Sequence, residues 1–97
     1  MRLVLSSAAR DDLKAIYLRG AQLFGPRQAD AYAAGLAKTL ARIRQYPRSG
    51  RLRAEIDPRL RTAPYKAHVI LYRITDSDVR VARIRAAEED WMTNPSA

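Results

Sequence analysis

The sequence predicts an α+β fold in which two helices pack on one face of a mostly antiparallel sheet. An apolar stripe at helical spacing runs between residues 26 and 45, and three segments rich in β-forming residues follow between 59 and 85. Because the helical part precedes these strands, the helices should lie together on one face of the sheet. The 97 residues are expected to form one domain, 1–97, with its core at about 2–91.

The first elements are a short strand and a helix. Residues 2–6 are predicted to be the strand, since their two leucines alternate onto one face. Ser7 is the expected N-cap of the helix. Asp11 and Asp12 follow near its amino end, where the helix dipole favours negative charge.

A Gly-Pro corner separates this helix from a second one. Gly25 is expected to end the first helix with a positive φ, and Pro26 to open the second, where a missing N–H costs nothing. The segment 46–50, with a proline and a glycine, ends the second helix. Helix, corner and helix form an αα-hairpin. The stripe of the second helix consists of Ala29, Tyr32, Ala33, Leu36, Ala37, Leu40 and Ile43.

Three strands are predicted after the hairpin, at residues 59–63, 68–74 and 79–85. Short connections between them favour an antiparallel meander, beside which the first strand pairs at an edge or in the middle. The element order is therefore β-α-α-β-β-β. On the last strand, strict alternation predicts one face made of Val79, Val81, Arg83 and Arg85.

The charge of the chain is strongly positive. The net charge is +8, and arginine outnumbers lysine 15 to 3. Such an excess favours acidic partners, among them nucleic acid, over the alternative of a merely arginine-rich composition, because the charge is clustered. Only two acids accompany the eight bases of the cluster, which are Arg42, Arg44, Arg48, Arg51, Arg53, Arg59, Arg61 and Lys66.

Other classes of protein find no support in the sequence. With no cysteine and one histidine, a disulfide framework or a metal site is not expected. Glycine-rich phosphate loops and Ser-His-Asp arrangements are also missing, so no cofactor is predicted. No stretch approaches the roughly 20 apolar residues of a membrane span. A cytoplasmic location is expected.

Between about Leu3 and Trp91 the chain resembles ParE toxins, within the RelE/ParE superfamily of type II toxin–antitoxin systems. No single residue carries this likeness, since it depends on order and spacing along the whole chain. The matching residues are Ser6, Ala9, Asp12, Leu13, Ile16, Phe24, Gly25, Tyr32, Leu36, Leu40, Ile43, Pro47, Gly50, His68, Tyr72, Arg73, Arg83 and Ile84.

The chain departs from the family pattern after its last strand. ParE-like chains commonly read Arg-Ile-x-His-Gly-Arg-Arg-Asp there. Here Ala86 and Ala87 replace the histidine and glycine, and Glu88 and Glu89 replace the two arginines. Alanine cannot transfer a proton, so no catalytic residue is predicted and the protein is not expected to be an enzyme.

The resemblance implies a toxin that inhibits DNA gyrase by binding and stabilising its complex with cleaved DNA. It also implies a cognate, ParD-like antitoxin whose acidic C-terminal segment folds on the toxin in a hetero-oligomer. The residues expected to contact the target are Arg59, Arg61, Arg73, Arg83, Arg85 and Trp91. Those expected to bind the antitoxin, unless they are ordinary core residues, are Tyr17, Phe24, Tyr32 and Leu36.

Two alternatives stay open. One is a ribosome-dependent mRNA endonuclease of the RelE type, using His68 as base with Arg73 and Arg83 as phosphate-holding cations; a capping or packing role is the other interpretation of His68. The second alternative is a family member that binds only its antitoxin. Trp91 is interpreted either as a lid on the core or as an exposed anchor.

Overall fold

Two helices and a five-stranded sheet make up the protein, for which a computed structural model describes residues Met1 to Pro95. Ser96 and Ala97, which the predicted domain includes, lie outside the described residues. A short 3₁₀ turn, Pro47–Ser49, follows the second helix. The elements in order are β1 (Arg2–Leu5), α1 (Ser7–Phe24), α2 (Pro26–Gln45), β2 (Arg51–Leu52), β3 (Arg61–Tyr65), β4 (His68–Ile74) and β5 (Asp78–Ala86).

The strand order in the sheet is β1-β5-β4-β3-β2. The four strands from β2 to β5 form an antiparallel meander, and β1 pairs in parallel with β5 at one edge. The predicted α+β class and element order are confirmed. The two-residue strand β2 was not predicted, because a pair of exposed residues has no alternating pattern to recognise.

Helix α1 begins one residue earlier than predicted. β1 ends at Leu5, and Ser6 is the N-cap in place of Ser7, since its Oγ accepts the N–H of Ala9 at 3.0 Å. The same hydroxyl donates to the carbonyl oxygen of Ala82 in β5 at 2.7 Å. Asp12 lies beyond the first turn of α1, and its carboxylate accepts the N–H of Ile84 in β5. Its predicted role at the helix dipole is therefore wrong.

The helical hairpin forms as predicted, with Gly25 at a φ of 90° and Pro26 as the first residue of α2. The helices approach closely where Gly20 faces Ala29, since a Cβ on the glycine would lie 3.6 Å from the alanine Cβ. The stripe of α2 is narrower than predicted. Ala29, Leu36, Leu40 and Ile43 are buried, whereas Ala33 and Ala37 are exposed.

Two side chains of the sheet hold the turn after α2 in place. The buried Tyr72 hydroxyl donates to the carbonyl oxygen of Pro47 at 2.6 Å and accepts the N–H of Gly50 at 2.9 Å. From β3, the guanidinium of Arg61 donates to the carbonyl oxygens of Gly50, at 2.9 Å, and Arg48, at 3.2 Å. A Cβ at Gly50 would collide with the Tyr72 hydroxyl. The turn is therefore joined to the sheet by four hydrogen bonds.

The β3 segment starts later than predicted, at Arg61. The residues between Asp57 and the strand form a turn. The carboxylate of Asp57 accepts the N–H of Arg59 at 2.8 Å, and its carbonyl oxygen accepts that of Leu60 at 3.1 Å. Residues 59 and 60 therefore lie in the loop before the strand.

A bulge interrupts the alternation of β5. The register with β4 passes from Leu71 opposite Arg83 to Tyr72 opposite Val81, which leaves Ala82 without a residue opposite it. One extra residue moves every later side chain to the other face. The prediction that Arg83 and Arg85 share a face with Val79 and Val81 is therefore wrong, and Ile84 joins the valines in the core instead.

Apolar side chains pack on both faces of the sheet. The larger cluster lies between the sheet and the helices and includes Leu36, Leu40, Ile70 and Tyr72. A smaller cluster lies on the other face, which we call the open face, and consists of Leu60, Val69, Leu71 and Trp91. Neither helix of the described residues has the length and apolarity that a membrane crossing requires.

Candidate functional site

The smaller cluster is closed by Trp91, which is 7% exposed. The guanidinium of Arg53 stacks on the indole at 5.4 Å from its centroid and donates to the hydroxyl of Thr62 at 3.1 Å. Of the two interpretations of this tryptophan, the structure supports the lid on the core. A target would meet Arg53 before it met the indole.

Two shallow depressions have cations in their lining, and Trp91 lines the second of them. One has a volume of about 290 Å³ and a rim of arginines, Arg59, Arg73 and Arg80. The other has a volume of about 350 Å³, and its rim includes Arg51, Arg53, Thr62, Lys66 and His68. Cations that border a concave surface raise the local concentration of anions.

Most of the predicted target-contact arginines are engaged within the protein. Arg73 forms an ion pair with Asp57 at 3.0 Å, and the guanidinium of Arg61 binds the carbonyl oxygens at the turn after α2. Arg59 is exposed, and no side-chain bond joins it to another residue within the stretch 1–95. Among the predicted contacts, Arg59 therefore remains the most available cation.

Arg83 is bound on two sides by one carboxylate of α1. Its Nε lies 2.7 Å from Oδ2 of Asp12 and its Nη2 lies 2.9 Å from Oδ1. The same Oδ2 accepts the N–H of Ile84 at 2.9 Å. Burial raises the pKa of Asp12, but the hydrogen bonds from Arg83 and Ile84 outweigh it and lower the pKa below the ordinary value. Asp12 thus caps the part of β5 that extends past β1.

Arg85 is buried beneath the C-terminal segment. Its Nη1 donates to the carbonyl oxygens of Asn94, at 3.0 Å, and Pro95, at 3.2 Å, and its Nη2 lies 3.2 Å from the carboxylate of Glu89. Glu89 also accepts the N–H of Ala86 at 2.9 Å. These hydrogen bonds, led by that from Ala86, lower the pKa of Glu89. The acid that departs from the family pattern therefore neutralises a buried arginine and caps the last strand.

His68 is held by a tyrosine of α2. The hydroxyl of Tyr32 lies 2.7 Å from Nδ1 of His68, and the ring of Tyr32 contacts those of His68 and Tyr65 edge to face. Burial lowers the pKa of His68, against the opposing charges of Glu89 and Asp12. Ala86 stands opposite His68 in the ladder. The histidine thus fastens α2 to β4, as its packing interpretation expects.

The predicted antitoxin-binding residues occupy different environments. Leu36 is 1% exposed and belongs to the core, and Tyr32 is committed to His68. Tyr17 is half-buried and its hydroxyl donates to Asp30 at 2.6 Å, which raises the pKa of the phenol. Phe24 is 64% exposed. Only Phe24 of the four presents a largely uncovered apolar side chain.

Two further exposed leucines accompany Phe24 at the carboxyl end of α1. Leu18 is 60% exposed and Leu23 is 59% exposed. We call Leu18, Leu23 and Phe24 the apolar patch. The sequence analysis missed the leucines because it sought a stripe that faces the core, whereas these side chains lie outside that stripe. These three side chains are the exposed large apolar groups of α1, and such groups are candidates for contact with another protein.

A second surface belongs to the basic cluster that the sequence analysis associates with acidic partners. Arg42, Arg44, Arg48 and Arg51 surround the carboxyl end of α2 and the turn that follows; we call these four residues the arginine band. All four side chains are exposed, and within the described part of the chain none of them has a hydrogen bond or ion pair. No acid occurs between residues 42 and 53.

Together the fold and these surfaces define a small basic protein: a helical hairpin on an antiparallel sheet, with an apolar patch, a cationic edge and an arginine-rimmed open face. Comparison with known proteins makes the class specific. The family model described as "ParE toxin of type II toxin-antitoxin system, parDE" matches residues 3–91. The chain belongs to the ParE toxin family, as its sequence resemblance predicts.

Two individual relatives agree with this assignment. The chain is 29% identical over 83 residues to Toxin ParE3 of Caulobacter vibrioides, an alignment that covers 86% of this chain and 83% of the relative. It is also similar in fold to the structure titled "Chromosomal ParDE TA system from P. aeruginosa", with a TM-score of 0.80 and 24% identity over 91% of this chain and 97% of that one. The protein is therefore a toxin of the type II class, and its family supports a non-enzymatic mode of action.

Proposed function

We propose that this toxin inhibits DNA gyrase by binding and stabilising the complex of the enzyme with cleaved DNA. The observation that carries the proposal is the distribution of its cations. The arginine band, Arg59 and Lys66 remain in water on a protein of net charge +8, while buried cations are neutralised internally. A toxin that acts by binding needs such a free cationic surface to meet a nucleic-acid-containing target.

The neutralising partner in this proposal is a ParD-like antitoxin with an acidic C-terminal segment. Such a segment is disordered alone and folds when it buries apolar side chains on a partner. The apolar patch of Leu18, Leu23 and Phe24 supplies the surface to be buried, and the surrounding positive field attracts the acidic chain. The two proteins then form a hetero-oligomer in the cytoplasm, where gyrase acts.

A plasmid-cleavage assay tests the gyrase proposal. Supercoiled plasmid, gyrase and ATP are incubated with purified toxin and then treated with detergent and protease. We expect linear DNA to accumulate with toxin concentration, and Arg59→Gln to weaken the effect more than Arg27→Gln, an exposed cation on α2. Unchanged plasmid at saturating folded toxin would remove gyrase as the target.

The antitoxin surface is tested separately, by measuring complex formation with the cognate antitoxin. Leu23→Asp with Phe24→Asp should weaken binding by about 2 kcal/mol or more, which is roughly 30-fold, if the patch is a binding hot spot. Leu52→Asp is the matched control, because Leu52 is also exposed but lies on β2. Equal affinity of the patch variant and the control would place the antitoxin elsewhere.

A further inference from the structure

We propose that the arginine band binds the sugar–phosphate backbone of DNA directly. The band follows the chain around one end of the molecule: Arg42 and Arg44 lie in the last turn of α2, Arg48 in the 3₁₀ turn and Arg51 on the edge strand β2. Arg51 also belongs to the rim of the depression that includes Arg53 and Lys66. The band therefore leads from the helix end onto the open face.

The availability of these side chains supports a role in binding. Every cation that the sheet buries has an oxygen partner, such as Asp12 for Arg83 and Glu89 for Arg85. By contrast, the four guanidinium groups of the band have no such partner within residues 1–95. A planar guanidinium that keeps all its donors free is suited to bidentate hydrogen bonds with phosphate oxygens.

The backbone beneath part of the band is held by hydrogen bonds from the sheet. The buried Tyr72 hydroxyl joins Pro47 and Gly50, and Arg61 donates to the carbonyl oxygens of Arg48 and Gly50. Two of the four arginines of the band, Arg48 and Arg51, are therefore carried by, or next to, a turn that the sheet holds in one conformation. A fixed turn lowers the conformational cost of binding, so weak contacts with phosphates become more effective.

The composition of the band favours DNA over the acidic segment of an antitoxin. A segment that folds on binding must bury apolar surface, and the exposed apolar cluster is the patch at the carboxyl end of α1. Around the band, Tyr46 and Leu52 are the exposed large apolar side chains. Four exposed arginines without an intervening acid suit a partner whose affinity comes from regularly spaced phosphates.

The inference deepens the proposed function and rests on it for the identity of the polyanion, since the target complex contains DNA. The experiment omits gyrase, so that the two proposals fail separately. If linear DNA accumulates in the cleavage assay while purified toxin binds no DNA, gyrase inhibition stands and the band proposal falls. If DNA binds but gyrase is unaffected, the reverse holds.

The test is fluorescence anisotropy of a labelled DNA duplex with full-length toxin over a range of salt concentrations. The band variant carries Arg44→Gln, Arg48→Gln and Arg51→Gln. Each lost phosphate contact should reduce the slope of log K against log salt by about 0.9, so the band variant should lose a slope of about 2 to 3. Circular dichroism checks that this variant and the control described below are folded.

A control of equal charge change carries Arg10→Gln, Lys14→Gln and Arg19→Gln, three exposed cations of α1. Its slope should stay close to that of the parent protein. Equal loss in both variants overturns the proposal in favour of diffuse charge, and so does the absence of binding at low salt. Tighter binding of an RNA duplex of the same length, or a loss confined to antitoxin binding, would assign the band to a different partner.

Discussion

The arginines at the end of β5 and those at the end of α2 are chemically identical but lie in opposite environments. Arg83 and Arg85 are held by Asp12 and Glu89, and each of these acids also accepts a backbone N–H of β5. The arginine band is free in water. The number of arginines in a segment is therefore a poor measure of its capacity to bind a target, because the folded protein satisfies some of them internally.

The difference follows from where each segment lies in the fold. β5 extends beyond the short β1, so its outer N–H groups need acceptors, and carboxylates brought there also neutralise nearby arginines. At the end of α2 the exposed helix carbonyls interact favourably with cations and require no acid. The arginines at the sheet edge are thus neutralised by acids, whereas those at the helix end stay available to a partner.

The largest expected effect comes from breaking the most buried pair. Asp12→Ala removes the carboxylate that binds both Arg83 and the N–H of Ile84, each of which is largely shielded from water. We expect the free energy of unfolding to fall by about 2–3 kcal/mol, because a shielded cation and an N–H lose their acceptor together. Urea denaturation measures the loss.

Asp11→Ala is the matched control for this prediction. Asp11 is the neighbouring residue, is exposed, and has no side-chain bond within the described residues, so its replacement should cost less than about 0.5 kcal/mol. Similar losses in the two variants would contradict a structural role for the Asp12–Arg83 pair and would make Arg83 available as a contact for the target.

The second effect concerns the support of the arginine band. Tyr72→Phe keeps the ring in the core but deletes the hydroxyl that joins Pro47 to Gly50. We expect a loss of about 1–2 kcal/mol, since a buried N–H is left without its acceptor. Tyr46→Phe, at an exposed tyrosine, should leave stability unchanged. Hydrogen exchange at Gly50 should accelerate in the Tyr72 variant alone; if it does not, the turn is held by other contacts.

Periodicity and turn residues predicted the helices, the order of elements and β4, because these depend on local patterns such as the Gly25-Pro26 corner. The bulge at Ala82 was not predictable, since it depends on how β5 pairs with β4. The same limit applies to the site. The sequence does not show that Asp12 pairs with Arg83, because more than 70 residues separate them. Nor does it show that Glu89 pairs with Arg85, because that contact depends on a tight turn after β5.

The third effect tests the departure from the family pattern. Glu89→Ala removes one partner of Arg85 and the acceptor of the Ala86 N–H. The expected cost is about 1 kcal/mol, because the glutamate is about half exposed and its ion pair is screened by water. Glu88→Ala should have almost no effect. Thermal unfolding distinguishes them, and equal melting temperatures would show that the substituted acids have no structural role.

The smallest effect involves His68, which belongs neither to the arginines at the end of β5 nor to the arginine band. Burial lowers the pKa of His68, whose Nδ1 is bound by Tyr32, and the negative charges of Glu89 and Asp12 oppose this shift more weakly. Between the ordinary histidine pKa of about 6.5 and the lower folded value, the unfolded chain binds more protons. Stability contributed by neutral His68 is therefore complete above about pH 6.5 and decreases as the pH falls through that window.

The measurement is the melting temperature between about pH 7.5 and pH 5, above the range near pH 4 in which aspartates and glutamates titrate. We expect a decrease toward pH 5 in the parent protein and a flatter profile in His68→Gln, which cannot be protonated. Gln28→His, on the exposed surface of α2, is the control and should keep the slope of the parent. If His68→Gln retains the full slope, His68 binds its proton equally in the folded and unfolded chains, and burial does not disfavour its charged form.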